Sequence, residues 1–531
     1  MTDADSLFAD ILDMFPDGFF PQRGRQRALK GLAKVDWRTL SSWSRWCSQR
    51  RPGEAMGRPD VEALHSRMSL YPATGRQRNV AGAKHTATTR LPRDLSEVDH
   101  LEQALHLPHP YNLDYDLEAD ASFAVDVCAR LGPLAPAWRN KVLASIRRVA
   151  TSLAPLDRWA LNHRPTRHCP GWAPVLTAAF VHLLRWEDRD LPWALVAGFQ
   201  VVGAIPPSRV HRVLDEDAKD NNELREGLLG QSAMDFVDGL EADQRIHQHA
   251  DGILEATLGE IDFGLARPLE SRAEVDAVFG RGRWRPLPRH LVFQDDKARP
   301  IDDAKAGGHN ASSHCVETIV CVSGEWPAVT MRALLKRIAS LTSDPHIPSW
   351  VQPRTGTEDM WKGFRQNHPT KDDERFCVIT FVHPDSGKRV YSRLRGLPFG
   401  MGSVVNQFNR LPLLKTAVLR RLFGLLACHY FDDELLMEMA GHTRSSATVI
   451  KSVANLWGIR YSANKSQPLS TWTAFLGHQY DWASFVSTSS VAFWGESEYQ
   501  EQDRGHDPED PPRPEAYAGQ RFETTRFAHL A

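Results

Sequence analysis

The chain has 531 residues, of which 42% are hydrophobic and 24% charged, with a formal net charge of −2. That length and apolar content predict a soluble globular protein of about two or three units with a sizeable core, and no apolar run reaches the roughly 18 residues needed to cross a bilayer. The opening MTDADSLFAD carries acids where a secretory signal would be basic, and the seven cysteines (Cys47, Cys128, Cys169, Cys315, Cys321, Cys377, Cys428) form no CxxC pair. These features argue against a membrane partner, a disulfide framework and a zinc ribbon; an intracellular setting, nucleus or cytoplasm, is expected. His168-Cys169 and His314-Cys315 are too sparse to make a metal site.

In chain order, residues 1–100 read as a basic, partly disordered arm. Residues 20–93 hold 16 Lys or Arg against 4 Asp or Glu, interleaved with Trp37, Trp43, Trp46 and Tyr71. Such a segment suits phosphate backbones and stacked bases, and equally suits a solvated arm with no binding role. Residues 101–245 are helix-like, an accessory unit whose clearest amphipathic stretch is WAPVLTAAFVHLLRW (172–186), with a turn-rich GFQVVGAIPPSRV after it. From 246 two further helices are indicated, the second opened by the capping box Ser271-Arg-Ala-Glu274. The pattern then changes to strands and hairpins, so that 285–482 is α+β in character. Residues 483–531 are acidic and Pro-rich, and read as a tail that buries too little surface to fold alone.

The most informative stretch is Tyr430-Phe431-Asp432-Asp433, between the apolar runs 425–428 and 435–439. Strand, tight turn, strand is the predicted context, with the acids at the tip. Adjacent carboxylates repel and pack poorly, so a cation supplies a physical reason for placing them there; Asp-Asp is also ordinary turn chemistry. Upstream, GLPFGMGS (396–403) sets three glycines before a helical run. They give room for a backbone to approach a flat ligand, or make a plain strand-to-helix turn. Earlier still, in TEDMWKGFRQ (357–366), Asp359 is predicted to end a strand and Phe364 to pack from the turn beyond it. A helix cap is the ordinary reading of such an isolated Asp.

In this order the pieces resemble the palm of a reverse transcriptase, of the kind carried by LTR and DIRS-like retroelements. DMWKGFRQ resembles the family's first palm motif, LPFGMGS the second, and YFDD the third, Tyr-x-Asp-Asp. WGIRYSANKS, with Lys465, resembles the fourth, FLGHQYDW (475–482) the fifth, and KARPIDD (297–303) the fingers motif. The resemblance covers 271–482 well, the preceding helical unit weakly, and the first hundred residues not at all. It implies an α+β fold: the fingers and palm of a right-hand polymerase over 246–482, an antiparallel sheet with packed helices, preceded by the helical N-terminal unit. Only a polar, Pro-rich stretch follows the fifth motif, so the thumb is expected to be reduced or absent, and no RNase H or integrase segment is recognisable. Trp361 and Gly363 depart from the first motif, where the family more often has a small polar or charged residue and alanine.

The resemblance implies template-directed DNA synthesis on an RNA or DNA template, by two-metal nucleotidyl transfer from a dNTP to a primer 3′-hydroxyl. Asp359, Asp432 and Asp433 would hold two Mg²⁺ ions, with Mn²⁺ as the alternative. Lys465 would be the general acid on pyrophosphate, and Lys297 and Arg299 would neutralise the triphosphate. Phe364 would stand against the sugar, Phe399 and Gly400 would face the nascent base pair, and Phe475, Leu476 and Gly477 would grip the primer. Glu358 and Glu434 are flanking residues in this scheme. Outside the resemblance the same positions read as a solvated lysine, a basic strand edge and a core aromatic. A partner chain supplying thumb, RNase H or integrase functions is implied. Two alternatives stay open: an RNA-dependent RNA polymerase, whose third motif more typically reads Gly-Asp-Asp, and an inactive or truncated remnant that only binds nucleic acid.

Overall fold

The computed structural model of the chain describes residues 3–37, 39–40, 117–164, 172–213, 220–294, 297–342, 346–483, 485, 490–495 and 521–523. Of Gln294, Lys297 and the last two segments only the backbone is described.

Six helices open the described fold: α1 (Asp3–Asp13), α2 (Gln22–Leu32), α3 (Ala119–Leu131), α4 (Ala135–Asn162), α5 (Pro174–Leu184) and α6 (Leu191–Ala197). α5 lies within the predicted amphipathic stretch, but it is apolar on every side, and Pro174 through Val181 are all buried; such a helix belongs in the middle of a core. α4 buries Val142, Ile146, Val149 and Leu153 at helical spacing. Where an arm is expected, residues 3–37 instead fold onto these helices. Leu7, Phe8 and Ile11 of α1 and Ala28 and Leu32 of α2 are buried, and Asp10 pairs with His182 at 2.8 Å and with Arg189 at 2.7 Å. The average basic composition hides the apolar stripe: Arg23 and Arg27 of α2 are exposed while Ala28 and Leu32, four apart, face inward. Apart from residues 39–40, the rest of the expected arm, with Trp43, Trp46 and Tyr71, lies outside the described residues.

Next come β1 (Gly203–Ile205), β2 (Arg212–Val213), α7 (Asn221–Glu226), α8 (Gln231–Ala242), α9 (Ala250–Asp262) and α10 (Arg272–Phe279). The capping box at α10 is present: Ser271 Oγ accepts from Glu274 N at 3.4 Å, and Ser271 N donates to Glu274 Oε2 at 2.6 Å. β3 (Pro286–Gln294) and β4 (Lys297–Asp302) form an antiparallel hairpin. β5 (Ser313–Cys315) and β6 (Glu317–Thr318) pair with β1 and β2, and α11 (Trp326–Leu341) follows. The remaining elements are β7 (Pro353–Asp359), β8 (Val378–Val382), β9 (Arg389–Arg393), α12 (Gly402–Phe423), β10 (Leu426–Tyr430), β11 (Asp433–Met439), α13 (Thr443–Trp457), β12 (Gln467–Ser470), β13 (Trp472–Phe475) and β14 (His478–Asp481). β3 joins a sheet of order β4-β3-β8-β9, and the site is built on a second sheet of order β10-β11-β7-β12.

That second sheet is buried on both faces, which its alternation makes possible. Leu426, Cys428, Leu435, Met437 and Met439 share a cluster with α3, α11, Phe475, Tyr480 and Trp482. Ala427 and Leu436 face the other way, into a cluster with α4, α5, α12 and α13. Arg139 of α4 crosses into the second layer, donating to Glu438 Oε2 at 2.5 Å and to the Phe423 carbonyl at 3.0 Å. The expected tail also departs from expectation: β15 (Ser490–Gly495) pairs with β14, and β16 (Arg521–Glu523) pairs with β15. Composition argues against these residues folding alone, but a strand needs only an open edge to pair with, and β14 supplies one. Among the described residues no helix is long and apolar enough to cross a membrane, and Cys128, Cys315, Cys321, Cys377 and Cys428 are free thiols.

Candidate active site

The acidic tetrapeptide is a two-residue hairpin, because Tyr430 pairs with Asp433 and leaves Phe431 and Asp432 as the turn. Phe431 sits at φ 55°, a left-handed conformation that is costly for a bulky side chain. β11 continues in register against β7, which places Asp433 opposite Asp359. The Met360 N–H donates to the Asp432 carbonyl at 2.9 Å and locks the turn to the end of β7. Paired residues share a sheet face, so Asp359 and Asp433 project together, with Asp432 at the tip beside them.

Glu358 and Glu434, also paired, project to the opposite face. There Lys415 Nζ donates to Glu434 Oε2 at 2.9 Å, Tyr461 OH donates to the same oxygen at 3.0 Å, and Ser466 Oγ donates to Glu358. These acids are held behind the hairpin, away from the aspartates.

The electrostatics of the tip follow from crowding. Loss of solvent, then the charges of Asp432 and Asp359, push the Asp433 carboxyl up to about 6. Burial also raises Asp432, as does Asp359, while Lys465 and Arg299 pull it down. A site that resists holding its own negative charge is one that a divalent cation stabilises. Among the described residues no group of three or more His, Cys, Asp or Glu closes around a point as an all-protein cage. Mg²⁺ does not require one: it is ordinarily held by one or two carboxylates plus substrate phosphates and water, and the oxygen donors here fit that habit.

Lys465 Nζ lies 2.8 Å from Asp359 Oδ2, with its side chain 62% exposed. Its loop is fixed by the Ser462 N–H donating to the Asp359 carbonyl at 2.8 Å. Phe364 leaves the short turn Gly363–Gln366 and meets Phe399 edge-on at 5.6 Å and Phe408 at 4.6 Å. A Cβ at Gly363 would be tight, 3.0 Å from Asp432 Cβ and from Phe408 Cζ, so a neighbour would have to give by a few tenths of an ångström. Phe399 is 42% exposed. Gly400 sits at φ +111°, and a Cβ there would meet the Asp302 carbonyl oxygen at 2.4 Å. The close approach that this glycine permits is thus to the chain's own backbone. Arg299 is exposed on β4, two residues beyond Lys297; the Lys297 side chain lies outside the described residues.

The β13–β14 turn consists of Leu476 and Gly477, at φ 50° and 72°. That left-handed pair is the signature of a tight hairpin turn. Phe475, by contrast, is 4% exposed and packs beneath the sheet beside Tyr480 and Trp482. Only the turn residues form the tip of this hairpin.

Sequence reasoning missed a buried ionic cluster of Glu260, Arg289, Asp302 and Arg365. Burial alone would raise the Glu260 carboxyl, but Arg365 and Arg289 bring it down to about 2. Asp302 falls inside KARPIDD and Arg365 directly follows Phe364. Neither carries a local pattern that announces burial, since arginine and aspartate are usually exposed.

No protein-family model matches the chain, and no curated protein does. Among solved structures, foamy viral protease-reverse transcriptase in complex with an RNA/DNA hybrid aligns with a TM-score of 0.33 at 15% identity, covering 50% of this chain and 29% of that one. The foamy viral protease-reverse transcriptase in complex with dsDNA gives 0.33 at 15% identity, covering 50% and 45%, and a dRH form with dsDNA gives 0.29 at 18%, covering 44% and 34%. The chain thus spans less than half the length of each of these structures. The functional reading is carried by the geometry of the acidic hairpin.

Proposed function

We propose that this chain is a template-directed DNA polymerase of the reverse-transcriptase type, of LTR or DIRS-like retroelement descent. The observation that carries the reading is the register of β7 against β11, which joins Asp359 to the Asp432-Asp433 turn. In this reading the primer 3′-hydroxyl gives its proton to water, its oxygen bonds to the α-phosphorus of a dNTP, the bond from that phosphorus to the bridging oxygen breaks, and pyrophosphate leaves. Two Mg²⁺ ions, or Mn²⁺, held by Asp359 and Asp432 with Asp433 in the same charge cluster, would supply Lewis-acid activation and charge neutralisation.

The chain's own residues do the rest. Arg299 and Lys297 offset the charge of the triphosphate, which otherwise approaches three aspartates. Lys465, exposed and on a flexible stem, swings from Asp359 to donate a proton to departing pyrophosphate. Phe364, backed by Phe408 and Phe399, stands against the sugar and excludes a 2′-hydroxyl. Leu476 and Gly477 border the primer.

Primer extension tests the reading: purified chain with an RNA template, a DNA primer, dNTPs and Mg²⁺ or Mn²⁺ extends the primer, and Asp432→Ala with Asp433→Ala abolishes extension. Failure of the unsubstituted chain with either metal would sink it, and preference for rNTPs would point instead to RNA synthesis.

A further inference from the structure

Asp302 ends β4 fully buried, and both its oxygens are engaged. Oδ1 accepts from Arg289 Nε at 2.8 Å; Oδ2 accepts from Arg365 Nη2 at 2.9 Å and from the Phe399 N–H at 3.0 Å. The Asp302 N–H returns a bond to the Phe399 carbonyl at 3.2 Å. Arg365 divides its guanidinium three ways, to Asp302, to Glu260 Oε1 at 2.9 Å and to the Leu397 carbonyl at 2.5 Å. One pair therefore joins, besides β3 and α9, three pieces of chain: the strand that carries Arg299, the turn that carries Phe364 and the loop that carries Phe399.

Buried ion networks add little stability over apolar packing of the same volume, so stability alone is a poor reason for this one. A planar guanidinium does fix distances among the acceptors it forks between, which lysine cannot do. We propose that Asp302 and Arg365 are positioning residues that set the Phe364–Phe399 aromatic pair against the Arg299 strand, and so determine the sugar selectivity of nucleotide addition. The inference rests on the nucleotidyl-transfer reading. Arg289 provides an internal comparison, because it pairs with Asp302 and Glu260 but not with the 397–399 loop.

The test compares Arg365→Lys with Arg289→Lys in the full chain, on a poly(rA) template with an oligo(dT) primer and either dTTP or UTP. Amide hydrogen exchange at Phe399 and thermal unfolding are measured alongside. Arg365→Lys is expected to lower kcat/KM for dTTP by on the order of 100-fold, to narrow the preference for dTTP over UTP, and to speed exchange at Phe399. Arg289→Lys is expected to lose comparable thermal stability while keeping both the preference and the Phe399 protection. Equal effects of the two variants on preference, or unchanged Phe399 exchange in Arg365→Lys, would overturn the positioning role. If Arg365→Lys lacks a folding transition, Asp302→Asn is read by the same measurements. No extension by the unsubstituted chain overturns the nucleotidyl-transfer reading and the selectivity claim with it, whereas intact extension with unchanged preference overturns the positioning claim alone.

Discussion

Asp433 stands directly across the antiparallel ladder from Asp359, at the head of the β7–β11 register. Like charges in that relationship repel, and the Asp433 carboxyl is pushed up to about 6 as solvent is lost and its neighbours' charges are added. A raised folded-state value means that the group's contribution to stability is present below the ordinary carboxylate range and is lost as pH rises through about 6. Without divalent ions, Asp433→Asn should therefore unfold at a higher temperature than the parent at pH 8 and at the same temperature at pH 4. Mg²⁺ should narrow the pH 8 difference. Asp359→Ala and Asp432→Ala should each lower extension by at least ~100-fold, the scale for removing a group that meets transition-state charge. Calorimetry across pH with extension assays checks all three variants, and a variant that extends normally would remove that aspartate from the site.

Lys465 is expected to matter more to chemistry than to folding. Its 2.8 Å pair with Asp359 is formed by a side chain that is 62% exposed, and such pairs contribute less than about 1 kcal/mol. Lys465→Met should leave the denaturation midpoint nearly unchanged and lower the extension rate at saturating dNTP. A large midpoint shift with normal extension would reverse this assignment.

Gly400→Ala should be destabilising by more than about 2 kcal/mol, since it adds both a strained backbone conformation and a clash. The clash is with the Asp302 carbonyl oxygen, 2.4 Å from the added Cβ. A urea melt measures it, and the loss should be accompanied by a raised KM for dNTP as the Phe399 loop is displaced.

Arg139 is predicted to hold the helical layer to the sheet. It is 1% exposed and pairs with Glu438 at 2.5 Å. Burial would raise that carboxylate, but Arg139 above all holds it down to about 2. Arg139→Met leaves the acid buried without its arginine, with the Ser446 hydroxyl, the Met439 N–H and His442 still beside it, and should cost up to about 3–5 kcal/mol. A lowered folded-state value gives stability that is present above the ordinary Glu range and lost as pH falls toward about 2, so the gap between parent and variant should close in acid. Denaturant midpoints at pH 7 and pH 3 report it.

The sequence by itself determined what is local. Tyr430 to Asp433 is a turn between apolar strands, Asp359 ends a strand, a helix follows the glycine-rich turn, and Ser271 and Glu274 close a capping box. Each follows from turn chemistry, side-chain alternation or capping within a few residues, which neighbouring positions dictate without the rest of the molecule. Only the tertiary structure decided that Asp433 meets Asp359, that Lys465 reaches Asp359, and that Asp302 and Arg365 share one buried contact. Those relationships come from strand register and packing between distant segments, where one residue of slip would turn Asp359 to the other face. For the same reason α2, inside a stretch basic on average, and β15, at the start of the expected tail, were legible only once the surfaces that receive them were in place.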